Sequence, residues 1–280
     1  MDNDTYNNAS VNIDEAMEKY QRLKQMLRDR GSLAISFSGG VDSTLLLKAA
    51  QEALGDKAIA ITVRSCAFPE RELSDAMAFC AGLGIRHIVC DVDPFAIEGF
   101  ALNPPDRCYL CKTAILSAIW RIARAEGISH VAEGSNMDDS GDYRPGSRAV
   151  AEQGVISPLR DAGLYKADIR QISKALGLPT WDKPSYACLV SRIPYGVEMR
   201  PAVLRQVELA EQYLMDMGFR QIRVRYHGDL ARIETDEAGF ALVQAGDNRE
   251  KINRTLKDFG FTYVALDLQG YRTGSMNETL

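Results

Sequence analysis

Leu33-Ala34-Ile35-Ser36-Phe37-Ser38-Gly39-Gly40-Val41-Asp42-Ser43-Thr44-Leu45-Leu46-Leu47 is an apolar run that breaks at two glycines and then resumes at helical spacing. Residues 33–37 read as a short buried strand, and the chain from Val41 onward reads as a helix. Adjacent glycines let the backbone turn tightly and approach a ligand without side-chain clash, and the helix start presents unpaired N–H groups at the positive end of its dipole. That combination is a phosphate cradle, to which Ser38 and Ser43 add hydroxyl donors. Asp42 would repel a phosphate unless Mg²⁺ lay between them. A serine-rich turn before a core helix is the plain alternative, and the agreement of strand, loop and helix argues against it.

No Gly-Lys-Ser/Thr follows the glycines, so the loop is not a Walker A motif and lacks that motif's lysine clamp on the phosphates. SGGVDS instead resembles the PP-loop of ATP pyrophosphatases. The resemblance implies that ATP is cut between its α and β phosphates, with an adenylated acid or carbonyl oxygen as intermediate.

With 280 residues the chain has ample surface to bury and room for one or two domains. No run of about 18 apolar residues is present, and the polar stretch from Met1 to Asn12 lacks the basic and apolar parts of a signal peptide, so a disordered tail over 1–12 and a cytoplasmic address are expected. The net charge of −5 disfavours a long nucleic-acid groove and favours a small-molecule substrate. Six scattered cysteines without a secretory signal read as thiols rather than a disulfide frame. Cys66, Cys80 and Cys90 have apolar neighbours and read as small buried residues.

Around the central loop the pattern is that of a parallel α/β sheet with helices on both faces. Ile13, Met17, Tyr20, Leu23 and Leu27 form one stripe of a helix, Ala58–Val63 and Arg86–Asp91 read as strands, and Glu70–Leu83 and Cys111–Ala125 as helices. Ligands lie at the carboxyl ends of such strands, which puts Arg64 and Ser65 beside an adenine or ribose, and Gly134 with the acidic pair Asp138 and Asp139 beside the phosphates. Asp138 or Asp139 is a candidate to share Mg²⁺ with Asp42, although such acidic runs are often solvated turns. Prolines at 179, 184, 194 and 201 make residues 178–201 a structured loop. Beyond it a helix, a hairpin of Gln221–Tyr226 and Leu230–Thr235, two short helices and a last strand over 261–268 make a smaller α+β unit. Domains of 13–196 and 197–280 follow.

The stretches RCYLCK, EGSNMDDSGDYRPG, KPSYACLVSRIPYG and RVRYHGDLARIE, in this order after SGGVDS, resemble the LarE-type sulfur transferases of nickel-pincer nucleotide biosynthesis, over about Ile13 to Leu268. The resemblance implies an adenine nucleotide alpha hydrolase-like fold and a pyridinium dicarboxylate mononucleotide substrate. One carboxylate would be adenylated by ATP, pyrophosphate would leave, and sulfur would replace the activated oxygen. It makes Cys188 the sulfur-bearing cysteine. Arg192, and Lys183 beside it in the loop, then become candidates to lower the Cys188 pKa, and Ser191, Arg192, Arg223 and Arg225 candidates to bind substrate. Alternation along a strand sends residues 223 and 225 to one face, where two guanidinium forks can converge on a phosphate; a solvated strand face is the alternative.

Family members with one cysteine give up its sulfur and keep dehydroalanine, while others carry three. Here Cys108 and Cys111 match the additional pair and Cys188 closes the set, so the resemblance implies a [4Fe-4S] cluster with one open iron. Read on its own, CxxC leaves a zinc site, a redox pair or plain thiols open, with His87, His130 and His227 as the available nitrogens. A tRNA thiolase and an ATP-binding sensor without chemistry remain rival functions. The family also suggests a homo-oligomer, a hexamer, fed by sulfide or another sulfur donor.

Overall fold

Side-chain alternation along the first two strands sorts the chain into layers. The computed structural model describes residues 12–141, 145–184, 186–272 and 274–279. Residues 1–11 of the expected tail, Asp142-Tyr143-Arg144 and Ser185 therefore lie outside the described residues. Helix α1 (Ile13–Arg28) leads into β1 (Leu33–Ser36), α2 (Val41–Leu54), β2 (Ala58–Arg64), α3 (Glu70–Gly82), β3 (His87–Asp91), α4 (Arg107–Ala125) and β4 (Val131–Ala132). The strands form a parallel sheet in the order β3-β2-β1-β4, with Leu33 opposite Ala58 and Ala34 opposite Val131. Leu33, Ile35, Ala58 and Ala60 point into a core built with α1 and α2, whereas Ala34, Ile59 and Ile61 point into the opposite core against α4. Successive side chains of a strand leave on opposite faces, so near-continuous apolar strands need helices on both.

After α5 (Pro145–Glu152), α6 (Pro158–Asp161) and α7 (Lys166–Ala175), the proline-rich loop carries one 3₁₀ turn, Leu189–Arg192. Helix α8 (Pro201–Asp216) opens the smaller unit: β5 (Ile222–His227), β6 (Leu230–Thr235), α9 (Glu237–Gln244), α10 (Asn248–Asp258) and β7 (Tyr263–Leu266). β5 and β6 pair antiparallel across the Gly228-Asp229 turn, and β7 adds parallel to β6. Leu214, Phe219, Val224 and Leu256 fill this unit's own core.

Two local expectations need correction. Helix α1 buries Ala16, Tyr20, Leu23 and Leu27, while Ile13, the first residue of the helix, is 39 % exposed and lies outside the buried stripe. Helix α4 begins at Arg107 rather than Cys111, so both cysteines of RCYLCK lie in its first turns.

Candidate functional site

The SGGVDS loop is held open by short internal bonds. Ser38 and Ser43 share a hydroxyl contact of 3.1 Å, and the Ser43 hydroxyl donates to the Gly40 carbonyl at 3.2 Å. Gly39 has φ +70°, and a Cβ there would meet Ala76 and the Glu72 carbonyl at 3.4 Å. Gly40 caps α2 in extended backbone with no side-chain cap, so the helix N-terminus faces the cavity instead of a capping oxygen. Gly134, just past β4, packs against this turn so closely that a Cβ would lie 3.1 Å from the Ser43 nitrogen and 3.3 Å from the Asp42 Cβ.

Two cavities meet at the loop. The larger, about 420 Å³, runs from Ser38, Gly40 and Asp42 past Arg64 and Ser65 to Cys108, Cys111 and Cys188. The smaller, about 250 Å³ and strongly polar, is lined by Asp42, Ser43, Gly134, Asp139, Lys112 and Lys166. Arg64 reaches the first from an exposed bidentate pair with Asp91 at 2.6 and 3.0 Å.

Of the acidic pair, Asp139 lines the polar cavity, and its carboxylate accepts from the Asn136 amide at 2.9 Å. Asp138, the other candidate for Mg²⁺, instead accepts the Lys166 backbone N–H at 2.6 Å. Asp42 is itself paired with the Lys166 ammonium and accepts from Asn136 Nδ2 at 3.3 Å. Glu133 ends β4 with its carboxylate buried. Burial alone would raise its pKa, but Lys112 at 3.6 Å and donors from Ser135 and Ser157 lower it. Carboxylates at the mouth of a phosphate cradle are the donor set that hard Mg²⁺ requires, so the residues present fit that ion.

Lys112, Glu133 and Lys166 were not singled out by the sequence. Lys112 directly follows the CxxC, and Glu133 is a charge at a strand's carboxyl end, so both carried a signal. Lys166 carried none, since only folding brings it to Asp42.

On the sulfur side, Cys108 and Cys111 lie three residues apart on α4 and share a face. Burial, then the nearby Cys188 sulfur, raises the Cys108 pKa, and the same causes together with Cys108 push Cys111 up to about 12. The Cys188 loop is tied to the sheet's end by a Leu189 N–H to Ala67 carbonyl bond of 2.9 Å. Among the described residues no group of three or more His, Cys, Asp or Glu is assembled that would hold a metal ion as it stands. His87 bonds the Thr62 hydroxyl at 2.7 Å and His227 accepts from Arg232, so these two imidazoles are engaged elsewhere. Three thiols line one cavity, a soft donor set that fits an iron–sulfur cluster and leaves a thiolate zinc site equally open. Cys80 is buried as expected, but Cys90 is only half-buried and Cys66 is exposed, the latter because the Ser65–Phe68 turn swings it out of the apolar stretch around it.

The arginines differ from expectation. Arg192 is 1 % exposed, its Nε and Nη2 both 2.8 Å from Glu211, and its Nη1 donates to the carbonyls of Ala187 and Cys188 and to the Ser191 hydroxyl. It clamps the backbone of the Cys188 loop rather than reaching the cavity. Lys183 lies at the other end, bonded to Glu72 at 2.8 Å and to the Gly39 carbonyl at 3.3 Å, so it ties the glycine turn to α3 instead of serving Cys188. Arg223 and Arg225 are buried, which removes the solvated-face alternative. Arg225 pairs with Glu234 at 2.6 Å and holds the Ser191 carbonyl at 3.0 Å. Arg223 lies over the Tyr186 and Tyr271 rings, its pKa lowered to about 10 by burial and by Arg192, against the pull of Glu211.

A family model described as NAD synthase matches residues 15–102. The chain is 41 % identical over 94 % of its length to an uncharacterised protein of Synechocystis sp., covering 98 % of that protein. It is 38 % identical, again over 94 % of its length and 95 % of the relative, to the pyridinium-3,5-bisthiocarboxylic acid mononucleotide synthase of Lactiplantibacillus plantarum. An uncharacterised protein of Methanocaldococcus jannaschii is 28 % identical over 92 % of this chain and 98 % of its own length.

Proposed function

Because the chain belongs to the LarE-type family of ATP-dependent sulfur transferases, within the PP-loop fold, we propose that it converts a carboxylate of pyridinium-3,5-biscarboxylic acid mononucleotide to a thiocarboxylate. The observation that carries this reading is the single cavity that joins the phosphate cradle to three thiols. On this reading residues 13–196 form the ATP unit and 197–280 the substrate unit.

The turn at Ser38, Gly39, Gly40 and Ser43 holds the triphosphate through N–H and hydroxyl donors, with Arg64 and Ser65 flanking the nucleoside. Asp42, with Asp139 and Glu133 nearby, would hold Mg²⁺, which offsets phosphate charge. A substrate carboxylate oxygen attacks the α-phosphorus, the bond to the β-phosphate oxygen breaks, and pyrophosphate leaves. The acyl adenylate is then an electrophile whose leaving group is AMP rather than oxide, so sulfur can add to its carbon and expel AMP. Arg223 is the leading candidate for the substrate phosphate, with Arg225 behind it, while Arg192 and Ser191 set the position of Cys188.

Cys108, Cys111 and Cys188 would hold a [4Fe-4S] cluster, which when bound supplies an iron with an open position for exchangeable sulfide. Burial of Cys108 and Cys111 keeps their protons on until a metal displaces them.

The experiment is anaerobic reconstitution with iron and sulfide, followed by counting products and pyrophosphate per chain. Many products per chain, an intact Cys188 and pyrophosphate release that depends on the mononucleotide are expected. One product per chain, with mass lost from the peptide containing Cys188, would establish sacrificial donation instead. Pyrophosphate release driven by tRNA would point to a tRNA thiolase, and ATP binding with no pyrophosphate release to a sensor.

A further inference from the structure

Lys166 opens α7, and its ammonium lies against the Asp42 carboxylate, 124 residues away in sequence. Both side chains are only partly exposed, at 17 % and 23 %, and both line both cavities. The root of the lysine is fixed, since its backbone N–H donates to the Asp138 carboxylate. Its tip is not fixed: a four-carbon stem carries a point charge that can turn from one anion to the next. A partly exposed ion pair of this kind contributes at most about 1 kcal/mol, so it is a weak latch for α7. Its place is more informative than its strength. Asp42 is the carboxylate read above as the Mg²⁺ ligand, and ATP held in the cradle would bring its phosphates into the cavity that Lys166 lines together with Asp42, Glu133 and Asp139.

We propose that Lys166 is an exchangeable counter-ion. In the nucleotide-free protein it neutralises Asp42 and keeps a divalent ion from binding alone. When the metal arrives chelated by ATP, Asp42 takes the metal, and Lys166 turns to the β or γ phosphate. The pyrophosphate leaving group thereby gains the cationic hold that the SGGVDS loop, with no lysine of its own, cannot give. The metal consequently enters as its ATP chelate rather than first. The inference rests on the assignment of Asp42 to Mg²⁺.

The test measures Mn²⁺ binding to the full chain by electron paramagnetic resonance, alone and with α,β-methylene-ATP, and needs no turnover. Lys166→Met should bind Mn²⁺ alone about tenfold more tightly than the parent, while its affinity for the Mn²⁺ chelate of the analogue falls about tenfold. Lys166→Arg keeps the charge and should resemble the parent with Mn²⁺ alone. Unchanged or weaker Mn²⁺ binding in Lys166→Met overturns the proposal, and so does equal tightening in Lys166→Arg, which would mark a general disturbance of α7. Asp42→Asn separates the two readings. If it binds the Mn²⁺ chelate like the parent, the Asp42 assignment falls and the exchange with it. If it loses the chelate while Lys166→Met shows no tightening, only the exchange falls.

Discussion

A guanidinium that is almost wholly buried, as at Arg192, exists only because Glu211 meets it with both oxygens and the 187–188 backbone takes the remaining donors. Burial alone would raise the Glu211 pKa, but Arg192 beside it holds the carboxyl below its usual range. Removing one partner strands a buried charge, so Glu211→Gln should lose roughly 3–5 kcal/mol in urea unfolding. The sign of the pH dependence follows. A lowered folded pKa contributes stability that is present above the unfolded glutamate value of about 4.3 and lost as pH falls below it, so the variant should lose part of the acid limb of the parent's stability curve. Cys111 shows the opposite shift, a thiol held up to about 12 by burial and by its sulfur neighbours. Its contribution is present below the unfolded thiol value of about 8.5 and fades as pH rises toward 12. At pH 8 the metal-free protein should therefore alkylate Cys111 with iodoacetamide at least about a hundredfold more slowly than a free thiol, as read by peptide mass.

Strand, turn and helix act together at the junction of β4 with the first turn of α2. Gly134 faces the Ser43 nitrogen and the Asp42 Cβ at distances that leave no room for a methyl group. Gly134→Ala should therefore push the cradle apart, at a cost of roughly 1–3 kcal/mol felt mainly as weaker ATP binding, with the circular dichroism spectrum unchanged. Equal ATP affinity would show that the loop yields without cost. The elements themselves were legible, because each rests on a local signal: the apolar run broken by Gly39-Gly40, the period-two alternation of residues 221–235, and the prolines of 178–201. Local signals also account for the errors. The helical spacing was read only from Cys111 when α4 already begins at Arg107, straight after the Pro104-Pro105-Asp106 loop, and apolar neighbours made Cys66 read as buried when a tight turn carries it outward. What depends on long-range assembly was not legible at all: Lys166 on Asp42, Lys183 on the glycine turn, and Arg192 turned away from the cavity.

Across the whole molecule, buried charge gathers where the 178–201 loop meets the smaller unit, and buried carboxylates answer most of it. Arg192 is matched by Glu211, and Arg225 by Glu234, which Arg232 also reaches at 3.0 Å. Arg223 lies beside these pairs, donating to the Ile222 carbonyl at 2.6 Å, with its pKa lowered to about 10 by burial and by Arg192. On the proposed reading, in which Arg223 meets the substrate phosphate, an arginine kept charged while buried gives up stability in exchange for affinity toward that anion. The consequence is a trade-off that can be measured in one variant. Arg223→Met retains the apolar stem between Tyr186 and Tyr271 but removes the charge, so unfolding in urea should show stability unchanged or raised by roughly 1–3 kcal/mol. The same variant should bind the pyridinium mononucleotide more weakly by roughly 1.5–3 kcal/mol, the range for a lost charged hydrogen bond, while ATP affinity at the SGGVDS loop stays as it was. Arg225→Ala should differ, because it takes from the buried Glu234 one of its two arginines and releases the Ser191 carbonyl, and so should lose stability and substrate binding together. If Arg223→Met instead unfolds at lower urea and loses both ligands, the arginine is part of the scaffold, and the substrate phosphate must be sought elsewhere along the cavity.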